Sequence, residues 1–198
     1  MNRQELKLVA RILENLPVMS SEIMQGWIDN PKGLQKFLSG LCPEDSILTA
    51  PELVTIMFAE QRDPDTFFQT RPGLFIWSDF RSRVVSKAKH IVDVGTYRVE
   101  RRDLVRDAKD ADIESALANH LFDENIVYAV IAELISKQPQ GKSGTLLNNG
   151  YANLFYVSSC VVSVYWSADD REWNVGTWGR GDRRWVAGYR VFSSATAA

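Results

Sequence analysis

The sequence predicts an α+β protein, in which a helical N-terminal part supports a C-terminal antiparallel β-meander. Three observations carry this expectation. Apolar residues recur at helical spacing over the first 60 residues and again before Lys137. From Tyr151 to Phe192 the pattern changes to short runs rich in Val, Tyr, Trp and Phe, punctuated by Asp, Asn and Gly. Four of the six tryptophans, Trp166, Trp173, Trp178 and Trp185, fall in that block, each within or at the end of an expected strand.

At 198 residues the chain is long enough to bury a real core. Its 23 basic and 25 acidic residues leave a net charge of -2, with no general pull toward nucleic acid or membrane. No apolar run reaches the roughly 18 residues that span a bilayer. Glu5, Lys7, Arg11 and Glu14 interrupt the N-terminal segment, which therefore does not read as a signal peptide. The default expectation is a cytoplasmic protein, with unconventional export left open. Cys42 and Cys160 lack metal-ligand spacing and read as reduced thiols.

In chain order, Leu6, Val9, Ile12, Leu13 and Leu16 predict a first helix that Pro17 ends. Ser20-Ser21-Glu22 opens a second, carrying Ile23, Met24, Trp27 and Ile28, and Leu34 to Leu41 a short third. Thr49-Ala50-Pro51-Glu52 resembles a capping box and predicts a fourth helix through Phe58. Asp63-Pro64-Asp65 and Arg71-Pro72-Gly73 then mark a change of character. A helical region over 1–70 and an α+β ligand-binding domain over 71–198 follow from it.

In the middle, Leu74 to Trp77 reads as a strand, Phe80 to Ala88 as a helix and residues 96–101 as a strand. A helix starts at Asp110, with a break expected around Asn119-His120. The strongest helix is capped by Asp123 and carries Ile126, Val127, Val130, Ile131, Leu134 and Ile135, so it should be almost buried. Residues 71–109 hold ten Lys and Arg against five Asp and Glu. These bases are scattered over several elements, which favours a solvated surface over a nucleic-acid groove. Pro139 to Thr145, PQGKSGT, lacks the first glycine and the preceding strand of a phosphate loop, and reads as a flexible connector.

The sheet is expected within 145–192. Asn149-Gly150 predicts a tight hairpin turn between residues 145–148 and 151–157, because both central residues of such a turn need positive φ. Strands follow at Val161–Trp166, Glu172–Trp178 and Arg184–Phe192. Side-chain alternation places Val162, Val164, Trp166, Trp173, Val175, Trp185, Ala187, Tyr189 and Val191 toward the buried helix. Ser163, Tyr165, Asn174, Gly176, Trp178, Arg184, Val186 and Arg190 should then face outward.

No sequence pattern points to catalysis. His90 and His120 stand apart without metal or triad partners, and no HExxH, CxxC, GxSxG or GxGxxG motif occurs. Nothing implies a metal or another cofactor. Ser158-Ser159-Cys160 would hold a nucleophile only if a distant base folded onto it. Arg180-Gly181-Asp182 reads as a turn.

The block LLNNGYANLFYV, followed by VVSVYWSADDREWNVGTWGRGDRRWVAGYRVFS, resembles a bacterial family with many paralogues. Through its closing segment Gly188-Tyr189-Arg190-Val191 it also resembles the variable proteins of diversity-generating retroelements. The resemblance implies a C-type-lectin-like domain whose ligand contacts are diversified. The positions it carries over are Tyr165, Ser167, Asp169, Asp170, Asn174, Gly176, Thr177, Arg180, Asp182, Arg184 and Val186. Trp178 joins them as an aromatic anchor on the same outward face. The expected activity is non-catalytic binding of a protein or other macromolecule, with neither membrane nor nucleic acid as partner. The competing readings are a nucleic-acid-binding module using residues 71–109, an enzyme of unrecognised type, and a structural subunit.

Overall fold

The structure is a computed structural model that describes residues 20–33, 46–58, 63–88, 95–117, 121–181 and 183–195. It comprises two compact units, Met1–Asp45 and Ser46–Ala198. In the first, helix α1 (Ser21–Asp29) starts as expected at Ser20, whose hydroxyl accepts the Ile23 N–H at 3.3 Å. The expected first and third helices, Cys42 and both histidines lie outside the described residues.

The second unit is α+β and is built on a seven-stranded sheet. Its strands are β1 (Glu52–Phe58), β2 (Leu74–Ile76), β3 (Gly95–Asp103), β5 (Asn153–Tyr156), β6 (Val161–Ser167), β7 (Glu172–Trp178) and β9 (Arg190–Ser194). They lie in the order β1-β3-β9-β5-β6-β7-β2, while β4 (Ala108–Lys109) and β8 (Arg184–Trp185) form a separate two-stranded ribbon. Most pairings are antiparallel, but β2 runs parallel to β7 and β5 parallel to β9.

The expected fourth helix is strand β1. Its three consecutive β-branched residues, Val54, Thr55 and Ile56, fit a pleated strand better than a helix. Pairing with β3 over the whole strand then outweighs the cap-like Thr49-Ala50-Pro51-Glu52. Ile56 and Phe58 point into the core, whereas Leu53, Thr55 and Met57 point outward.

Both faces of the sheet carry a core. On one side lies helix α5 (Glu124–Lys137), buried from Val127 to Ile135 and capped by Asp123, whose carboxylate accepts the Asn125 N–H at 2.7 Å. It packs in one cluster with Phe155, Val162, Val164, Trp166, Trp173, Val175 and Phe192. Phe155 and Phe192 stack with ring centroids 4.6 Å apart. Short helices α2 (Pro64–Phe67) and α3 (Ser78–Arg83) complete this layer through Phe68 and Phe80, in edge-to-face contact at 4.8 Å. On the other side, helix α4 (Asp110–Leu117) and the β4–β8 ribbon cover Leu154, Tyr156, Val161 and Val191 with Ile113, Leu117 and Trp185.

Three local expectations are corrected. Residues 145–148 form no strand opposite β5, although Gly150 has the anticipated positive φ of 86°. The buried Asn153 side chain replaces the missing ladder: its Oδ1 accepts Leu147 N–H at 2.8 Å and its amide donates to the carbonyls of Leu147 and Val164. The connector at 139–145 is pinned, since Gln138 is buried and its amide bonds Lys142 O, Leu146 O and Leu146 N–H. Finally, residues 184–192 are two strands separated by a turn at Gly188, φ 93°. Trp185 and Val191 are buried as expected, but against α4 and not α5.

Candidate functional site

The layer formed by α4 and the ribbon covers only part of the second face. Over β6 and β7 the outward positions, which pair as Ser163 with Gly176 and Tyr165 with Asn174, lie beyond it. An open groove of about 150 Å³ is found there, lined by Trp77, Asp79, Ser163, Tyr165, Gly176, Thr177 and Trp178. Trp77 is 49% exposed and Trp178 43% exposed.

Each wall has a local cause. Trp77 follows β2 and donates its N–H to Val175 O at 3.0 Å, which carries the indole onto β7. Gly176 is the floor: a Cβ there would stand 3.1 Å from Trp77 Cδ1, so only a glycine lets the indole lie this close without displacement. Phe75 supports Trp77 edge-on, with centroids 5.3 Å apart. Asp79 fastens α3 to β7, because one carboxylate oxygen accepts both the N–H and the hydroxyl of Thr177, at 3.0 and 3.1 Å. Its other oxygen accepts Phe80 N–H at 2.8 Å.

On the opposite wall, the Arg183 guanidinium lies 3.4 Å from the Trp178 ring centroid and 4.7 Å from that of Trp185. Such cation–π contacts stiffen an otherwise exposed indole. Arg183 is held in turn by the buried Asp110, whose N–H donates to Arg183 O at 3.1 Å. The Asp110 carboxylate receives the Tyr156 hydroxyl at 2.9 Å, the Trp185 indole N–H and Gly181 N–H at 3.3 Å. Burial, then the Asp110 charge, push the Tyr156 phenol well above its ordinary range. Tyr165 is also shifted upward, first by burial and then by Asp170 and Glu172, so it enters the groove as a neutral hydroxyl.

The sequence-derived positions divide. Tyr165, Gly176 and Trp178 meet in the groove. Ser167 and Asp170 bond one another at 2.7 Å in the β6–β7 turn, where Asp169 is exposed. Arg184 and Val186 are exposed, but Arg184 belongs to the ribbon, 3.6 Å from Asp107, and Val186 follows directly after that strand. Arg180 is tied down by Glu114 at 2.6 and 2.5 Å and by Ser158 O at 2.6 Å. Arg190 likewise pairs internally with Asp103 at 2.7 Å. Asp182 lies outside the described residues.

One position expected to face a ligand does not, and a second lines the groove with its hydroxyl already taken. Asn174 is only 5% exposed, and its amide nitrogen has no hydrogen-bond partner. Thr177 is buried by its bonds to Asp79. Conversely, Trp77 and Asp79 belong to the groove although nothing local in the sequence joins them to β7. The parallel β2–β7 pairing that does so spans about a hundred residues of chain.

Among the described residues no group of three His, Cys, Asp or Glu side chains is placed to hold a metal ion. Burial pushes the Cys160 thiol up, which keeps it protonated and weakly nucleophilic. In the basic segment, Arg101 pairs with Glu52 at 2.5 Å and Arg102 with Glu100 at 2.7 Å. No helix among the described residues is long and apolar enough to cross a membrane. The chain matches no protein-family model and has no significant match among curated proteins or solved structures.

Proposed function

We propose that this chain is a non-catalytic binding protein that takes a protein ligand on the uncovered part of its sheet, centred on the Trp77–Gly176–Trp178 groove. The observation that carries the reading is the pair of half-exposed indoles, each buttressed from outside the groove, facing a floor with no side chain. Held aromatic rings lose little conformational freedom on binding, and Trp and Tyr dominate the energetics of protein interfaces. A groove of about 150 Å³ is small beside the roughly 300–1,000 Å³ that encloses a small molecule. It suits one or two side chains projecting from a larger surface. Around it, Tyr165, Ser167, Asp169 and Asp170 lie on an exposed turn and strand end, where substitution costs the fold little. That accords with the diversified contacts implied by the resemblance to retroelement variable proteins.

The test is selection of a random peptide library displayed on phage against the immobilised full chain. Binders should be recovered that lose affinity at least about tenfold on Trp77→Ala/Trp178→Ala, as hot-spot removal does. The melting temperature of that variant should stay within a few degrees of the parent. Binders indifferent to both substitutions, or none at all, would overturn the reading.

A further inference from the structure

The two edges of the large sheet are finished differently. At one end, β2 has three residues and its outer side is folded back on itself: Arg71 N–H donates to Leu74 O at 2.9 Å and Leu74 N–H to Arg71 O at 2.8 Å. That edge cannot accept another strand. At the other end β1 offers seven residues, paired only with β3 among the described residues. Within Glu52–Phe58 there is no Pro, Gly, Lys or bulge, and the one charge, Glu52, is held by Arg101 of its own chain. Natural edges are normally protected by such devices, so an unprotected one of this length marks a pairing surface. Its outward side chains are apolar as well, with Leu53 55% exposed and Met57 61% exposed.

We infer that β1 is the contact between two copies of this chain, pairing antiparallel about a two-fold axis through Thr55. The sequence of the strand is self-complementary in that register. Thr55 faces Thr55 of the partner subunit, and Leu53 faces Met57 of the partner subunit on the side away from α5. On the other side Val54 faces Ile56 of the partner subunit, extending the core face without a break. No like charges meet: Arg98, opposite Thr55 on β3, is three strand spacings from its symmetry mate, roughly 14 Å. A second copy therefore satisfies the free backbone groups and covers both exposed apolar residues with one symmetric contact. A seven-residue edge is small beside the roughly 1,600 Å² of a standard interface, so the dimer dissociates on dilution.

Sedimentation equilibrium of the full chain from about 1 to about 200 µM should show a reversible monomer–dimer equilibrium, because mass action sets its midpoint. Met57→Lys and Leu53→Lys should shift it at least about tenfold toward monomer with an unchanged circular-dichroism spectrum, since both side chains are exposed. Thr55→Cys supplies the positional readout. Residues facing each other across an antiparallel pair have Cα atoms about 4.5–5.5 Å apart, within disulfide reach, so this variant should become a covalent dimer under mild oxidation. Arg98→Cys should not. A chain that stays monomeric throughout the range, or a dimer indifferent to Met57→Lys, or Thr55→Cys that oxidises no faster than Arg98→Cys, would overturn the inference.

Discussion

The indole of Trp77 rests on Gly176, with its Cδ1 3.1 Å from the point a β-carbon would occupy. The contact joins two strands that are far apart in sequence and sets the depth of the groove. Gly176→Val should therefore push the ring outward, while the half-exposed indole can move without breaking the core. The expected stability change is within about 1 kcal/mol. The Trp77 indole N–H resonance should shift in a ¹H–¹⁵N spectrum, and peptides selected on the parent should lose their binding.

Asp110 gathers Tyr156, Trp185 and Gly181 around one buried carboxylate. Asp110→Ala leaves three donors without an acceptor, and a cost of about 3 kcal/mol or more is expected in urea denaturation. Asp110→Asn keeps one acceptor oxygen and should cost less. Either change should also release the Trp185 indole on which the Arg183 guanidinium rests, and so raise the accessibility of Trp178 to acrylamide.

Tyr156 gives the fold an alkaline limit. Its phenol is pushed upward in the folded state, first by burial and then by Asp110, from an ordinary value near 10. Its contribution is complete below the unfolded value and is lost as pH rises beyond it, because the unfolded chain then releases a proton that the folded chain retains. Tyr156→Phe should be about 1–2 kcal/mol less stable at neutral pH. Between about pH 9 and about pH 11 its melting temperature should fall less than that of the parent.

Gly141 has a φ of 69°, and a Cβ there would stand 2.3 Å from Trp166 Cε2. Gly141→Ala combines left-handed backbone strain with overlap against a ring that packs edge-to-face on Trp173 at 5.5 Å. About 3 kcal/mol of destabilisation is expected, readable as a lowered melting temperature.

Elements whose determinants are local could be read from the sequence, and those fixed by distant partners could not. Asp123 and the apolar face after it announced α5, and simple alternation announced β6 and β7 with their inward and outward sides. β1 was obscured because a cap-like Thr-Ala-Pro-Glu is visible locally, whereas its partner strand β3 is not. Of the expected Asn149-Gly150 hairpin turn only the positive φ of Gly150 was legible, since Asn149 does not share it and the Asn153 side chain takes the ladder's place. Within the site, parity located Tyr165, Gly176 and Trp178. The same parity set Asn174 outward, but it lies beside Phe75 of β2, a neighbour with no signature in the text of β7.

Strand β9 stands third from the β1 edge of the large sheet, joining the β1–β3 pair to the β5–β6–β7–β2 group. It is also the last of the strands along the chain, so neither group can be united until residues 190–194 are in place. Contacts this distant in sequence close slowly, because loop entropy is lost before any pairing rewards it. Refolding should thus pass through a stage in which α5 and the β6–β7 hairpin are formed while β1 and β3 still search for the seam, and that stage sets the rate.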